Sequence, residues 1–165
     1  MYICDMYAPY ESLDESAKVW IYPSSRKFYK EELETLENKI KNFVNEWKSE
    51  DKDFQASYQF LYNRFIIILA EDECGELTNK HIDELVGFIL KLQTEYEVEL
   101  LDRMNVCFKQ GEFVQYKEVK EFKKLLKNKS VSAKTVVFDN LIQTKEELEN
   151  FWEVPITESW YNRFL

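Results

Sequence analysis

A chain of 165 residues fits one domain, and folding at that length buries about 70% of the surface that the unfolded chain exposes. Its 45% hydrophobic and 16% aromatic content is enough for a packed core and excludes disorder. With 22 basic against 31 acidic residues the net charge is −9, which repels phosphate backbones and anionic lipid and so excludes nucleic acid and membrane adhesion from the expected partners.

Residues 1–16 read as an irregular arm, with neither the basic region nor the apolar stretch of a signal peptide. "AKVWIY" (17–22) reads as a strand that Pro23 stops. From Lys30 to Trp47 the apolar residues Leu33, Leu36, Ile40, Phe43, Val44 and Trp47 recur at helical spacing, so one face of an amphipathic helix is expected there. "ASYQFLYN" (56–63) alternates like a half-buried strand. "RFIIILAE" (64–71) is apolar on both faces, as a central strand is, and the short link between them predicts an antiparallel hairpin. The run "FIIILA" is far too short to span a bilayer.

A second helix is expected from about Lys80 to Tyr96, with Asn79 as its N-cap. It carries Ile82, Leu85, Val86, Ile89, Leu92 and Tyr96 on one side. "MNVCFK" and "EFVQYK" flank Gly111 as a second hairpin, followed by a short basic helix over 117–127 and the strand "TVVFDN". Thr144 with Glu147 three residues on has the capping-box pattern of a final helix reaching about Trp152, and residues 153–165 read as an aromatic tail. Strand, helix, strand, strand, helix, strand is the split βαβ order of ferredoxin-like folds. The expected architecture is therefore an α+β sandwich in a single domain over 1–165: one mainly antiparallel sheet, helices on one face, and a C-terminal strand–helix–tail extension.

The three glycines, Gly75, Gly87 and Gly111, permit neither a Walker A loop nor a dinucleotide fingerprint, so no nucleotide is expected through a P-loop. No G-x-S-x-G elbow can be written either. Cys4, Cys74 and Cys107 are odd in number and far apart, which suits reduced thiols in a cytoplasmic protein.

The polar stretch "EDECGELTNKHIDE" (71–84) holds the only histidine. Its plainest reading is a strand-to-helix loop whose carboxylates complement a helix dipole. Two chemical readings compete with it. Asp72, Glu73, His81 and Glu84 offer hard-metal ligands or an acid–base pair, since His81 and Glu84 lie three apart on one helix face. Cys74 beside a helix start offers a thiol nucleophile with His81 as base. No cofactor is expected.

The segment from Lys117 to Lys134 carries seven lysines against two glutamates and reads as a solvated face that would suit an acidic partner. Trp20, Tyr22 and Arg26 read as core rather than as a pocket. In the tail, Trp152, Trp160, Tyr161 and Phe164 are costly to leave in water. They either dock back on the domain or form an interaction surface, a homodimer contact included.

Four stretches, "VWIYPSSR" (19–26), "YNRFIIILAEDE" (62–73), "LLDRMNVCFKQG" (100–111) and "FDNLIQTKEELENFWEVPITESWYNRFL" (138–165), resemble a family of small bacterial proteins commonly labelled "ABC transporter ATPase". The resemblance implies a link to a transport system; it carries over no catalytic residue, and the ATPase label finds no nucleotide-binding motif in this chain. The family's small-residue turn with cysteine or serine before the second helix is replaced here by Asn79, Lys80 and His81. The function expected is a non-enzymatic cytoplasmic binding or interaction module. A small metal-dependent or thiol hydrolase built on residues 71–84 is the alternative, and an accessory protein of a transport system a third.

Overall fold

The computed structural model of the chain describes residues 8–48, 54–72, 77–102 and 104–165, with the side chains of Lys48, Phe54 and Asp72 outside the description. The fold is mixed α+β with two antiparallel sheets, and the chain divides into two compact units, residues 1–101 and 102–165.

The first unit contains β1 (Lys18–Pro23), α1 (Lys30–Lys48), β2 (Phe54–Leu61), β3 (Phe65–Asp72) and α2 (Asn79–Tyr96). Its sheet has the order β1–β3–β2, antiparallel throughout, so β1 and β2 run the same way with β3 between them. The expected centrality of the isoleucine run follows, since every residue from Phe65 to Ala70 is fully buried. The even-numbered face of this sheet, with Tyr22, Ala56, Ile66, Ile68 and Ala70, forms one core with Leu36, Ile40 and Val44 of α1 and Leu85, Ile89 and Leu92 of α2. Each such fully buried aliphatic side chain contributes about 1.5–3 kcal/mol.

Local chemistry explains the turns. The β2–β3 hairpin closes through a turn in which Tyr62 (φ 57°) and Asn63 (φ 52°) are both left-handed, with the Arg64 N–H donating to the Leu61 carbonyl at 3.1 Å. Asparagine tolerates that region; a bulky tyrosine is strained there by about 1–2 kcal/mol. The N-terminal arm is less irregular than expected from residue 8 onward. Ala8 donates to the Ala56 carbonyl at 2.9 Å, a 3-10 turn spans Tyr10–Ser12, and the Asp14 N–H reaches Glu71 Oε2 at 2.9 Å.

The second unit contains β4 (Asn105–Gln110), β5 (Phe113–Glu118), α3 (Val119–Lys127), β6 (Val136–Phe138), α4 (Lys145–Phe151) and β7 (Glu153–Pro155). The expected hairpin about Gly111 is present, with that glycine left-handed (φ 62°) as its two-residue turn requires. One correction concerns sheet membership. The strand expected to complete a single sheet, β4, pairs instead with β5 and β6 in a second sheet of order β5–β4–β6–β7. Thr144 caps α4 as expected, accepting the Glu147 N–H at 3.2 Å, while Glu147 Oε1 reaches back to the Gln143 N–H at 2.9 Å. The tail is not loose: it continues as β7 and then as two 3-10 turns, Ile156–Glu158 and Trp160–Phe164.

Candidate functional site

Of the expected polar site over 71–84, the described part is the end of β3 and the start of α2. Residues 73–76, with Glu73 and Cys74, lie outside the described residues, as does the Asp72 side chain. The N-cap of α2 is Thr78, not Asn79. His81 at the third helical position accepts the Thr78 N–H on Nδ1 at 3.1 Å, taking the place that a glutamate usually fills in a capping box. That bond leaves the proton of a neutral ring on Nε2. The His81 ring also meets Trp47 edge to face at 6.2 Å, and its carbonyl accepts the Trp47 indole N–H at 3.0 Å. Glu84 is exposed one turn further on. Among the described residues no three His, Cys, Asp or Glu side chains are grouped to hold a metal ion.

The expected interaction residues of the tail divide into two pairs. Trp152 and Tyr161 are buried within the second unit, whereas Trp160 is exposed and Phe164 half-exposed. The Trp152 indole donates to Asn140 Oδ1 at 2.8 Å and its ring packs on Phe138 at 4.9 Å, so these polar and apolar needs are met internally. Tyr161 packs on Phe122, and burial raises its phenol well above the ordinary tyrosine range. Trp160 is held by its backbone N–H on Asp139 and by Arg163 stacked over its ring at 4.0 Å. As an interaction surface, Trp152 and Tyr161 are therefore corrected to core. The lysine-rich segment forms α3, with Phe122 as its buried residue and Lys123 lying over the Phe164 ring at 4.6 Å. Cys107 is buried and in no disulfide.

A different feature of the first unit is open. Helices α1 and α2 run antiparallel, as the contacts Trp47 to His81, Phe43 to Phe88 and Lys39 to Glu95 establish. Between them lies a groove of about 530 Å³. Into it α1 presents Lys39, Asn42, Phe43 and Glu46, and α2 presents Glu84, Gly87, Phe88 and Lys91. Phe43 and Phe88 stack nearly parallel at 4.4 Å, and Phe43 stacks on Trp47 at 5.4 Å. Both phenylalanines are half-buried, packed on the core beneath and open above. A Cβ built on Gly87 would meet nothing within 4 Å, so the glycine is not required by packing inside the chain.

Two polar clamps fix the helices that frame the groove. At one end Trp47 ties α1 to the His81 carbonyl of α2. At the other, Arg26 binds both oxygens of Glu32 on α1 at 2.9 and 3.2 Å and donates to the Tyr96 carbonyl of α2 at 2.7 Å. The hydrogen bond from Arg26 holds the Glu32 carboxyl below its ordinary range, and the same bond raises the guanidinium. Arg26 is thus a clamp, while Tyr22 and Trp20 belong to or pack on the core.

The groove escapes a reading of apolar periodicity because Phe43 falls on the core stripe of α1 and Phe88 off that of α2. The signal that reveals it is a mirrored spacing, Lys-x2-Asn-Phe-x2-Glu at 39–46 and Glu-x2-Gly-Phe-x2-Lys at 84–91.

No protein-family model matches the chain, and no curated protein or solved structure shows significant similarity to it. Among the described residues no helix is long and apolar enough to cross a membrane.

Proposed function

We propose that this chain is a non-enzymatic binding module whose docking surface is the α1–α2 groove. The observation that carries the reading is the Phe43–Phe88 stack, part-exposed at the groove beside a glycine with open space where a Cβ would stand. Exposed aromatic surface in a concave, rigidly framed site is the usual signature of recognition. His81 is in keeping with this reading, since its Nδ1 accepts the Thr78 N–H at the start of α2.

A cytoplasmic setting rests on the three widely spaced cysteines, and an accessory role in transport on the family resemblance alone. The finer fold reading is a ferredoxin-like half: the first unit has the split βαβ order, supported by β3 lying between β1 and β2.

The test uses the apolar dye ANS as probe. At chain concentrations dilute enough to leave the groove free of any protein partner, one dye is expected to bind per chain, with Gly87→Leu abolishing binding by filling the groove while leaving the melting temperature unchanged or raised. No saturable dye binding, or binding that Gly87→Leu leaves intact, would overturn the groove as the docking surface.

A further inference from the structure

We infer that the occupant of the groove is a second copy of this chain, docked face to face and antiparallel across a two-fold axis. This rests on the groove being the docking surface. The face is bipolar: because α1 and α2 are antiparallel, Lys39 and Lys91 mark one end and Glu46 and Glu84 the other, with Phe43 and Phe88 between. The two charged positions on each helix are seven residues apart, which is about 10 Å along the axis.

Two copies can close this face in two symmetric ways. A two-fold axis lying along the helices sets lysine end on lysine end and glutamate end on glutamate end, which is repulsive. An axis across the helices reverses the second copy and sets each Lys91 against Glu84 of the other copy, and each Lys39 against Glu46. Charge therefore selects the antiparallel arrangement, and the interface is self-complementary as a two-fold contact must be.

Shape selects the same arrangement. The midpoint of Glu84 to Lys91 falls between Gly87 and Phe88, so the reversed copy lays its Phe88 over Gly87. The open space at Gly87 leaves room for that ring, and an aromatic docked against a partner is a common anchor of a protein interface. The same midpoint on α1 sets Phe43 against Asn42.

Glu84 and Lys91 are both exposed, and neither side chain makes a hydrogen bond or ion pair among the described residues. Lys39 is engaged already, paired with Glu95 and lying over the Tyr96 ring at 5.0 Å. The Glu84–Lys91 pairing is accordingly the one to perturb. The net charge of −9 on each copy opposes association in general. Beyond a screening length of about 8 Å at physiological salt that repulsion fades, while the facing pairs act at contact.

The experiment is sedimentation equilibrium of the full chain from micromolar to hundreds of micromolar, with thermal melts to confirm folding. Wild type is expected to dimerise, and Lys91→Glu to weaken the dimer by at least about tenfold because two Glu–Glu contacts replace two ion pairs. Adding Glu84→Lys to Lys91→Glu on the same chain is expected to restore the affinity. A wild type that stays monomeric overturns the second copy as occupant. If ANS still binds and Gly87→Leu still removes it, the binding-module reading survives that result; if not, both fall. A dimer indifferent to Lys91→Glu, or a folded double variant that stays monomeric, overturns the antiparallel arrangement.

Discussion

Two aromatic clusters, one in each unit, meet opposite ends. In the second unit Trp152 and Tyr161 are sealed inside, and the indole N–H finds Asn140 within the same sixty-four residues. In the first unit Phe43 and Phe88 are only partly buried, beside open space at Gly87. The two clusters differ in what surrounds them: the tail closes on itself through short 3-10 turns and polar partners, whereas the two long helices are held at a fixed separation by clamps at both ends. An aromatic side chain becomes surface where the frame around it is too rigid to close, not where the sequence is richest in rings.

The largest effect that would break this contrast is on the second unit. Trp152→Ala is expected to cost about 3–5 kcal/mol in denaturant unfolding, through the lost packing on Phe138 and the orphaned Asn140. Phe88→Ala is expected to cost less, about 2–3 kcal/mol, because its ring is only partly buried. Equal costs for the two would mean that the groove aromatics are ordinary core.

A middle-sized effect sharpens the account of the frame. Glu32→Gln is expected to cost about 1–2 kcal/mol near neutral pH, discounted for side chains of the Arg26–Glu32 pair that are 27% and 20% exposed. Since the folded state lowers the Glu32 pKa, the contribution is fully present above the unfolded carboxylate value of about 4.3 and is lost as pH falls through the lowered one. The gap in stability between wild type and variant should therefore shrink below about pH 4 in pH-dependent melts. A gap that stays constant down to pH 3 would remove the clamp as its cause.

The smallest effect concerns the opposite end. His81→Ala removes the acceptor for the Thr78 N–H and is expected to cost about 0.5–1 kcal/mol. Amide exchange should quicken in the first turn of α2 while its last turn is unchanged. Uniform quickening along the helix would show that His81 does more than cap.

Element positions were legible in the sequence because each depends on local chemistry. Helical spacing marked Leu36, Ile40 and Val44, the isoleucine run marked a strand covered on both faces, and Thr144 with Glu147 marked a helix start. Sheet membership was not legible. Nothing in "NVCFKQ" distinguishes a strand that joins β1 from one that pairs with β6, since the choice depends on contacts between distant segments. Asn79 and Thr78 are both good caps, and the histidine three residues after Thr78 decided between them. The groove was hidden for a related reason: periodicity reports which residues avoid water but not which gaps between two helices stay unfilled.

The register of the first sheet also favours one order of assembly on grounds of closure entropy. The β2–β3 hairpin closes over three residues, whereas β1 pairs with β3 in a register that joins residues fifty apart, as Val19 does with Leu69. Hairpins form within about 1–10 μs, and a loop of that length pays its closure entropy before any contact rewards it. The central strand is thus first a hairpin partner and only later the middle of a sheet. Without β1 the edge of β3 would be an apolar ribbon with unpaired amides, the kind of edge that templates aggregation, so removal of β1 is expected to lower solubility.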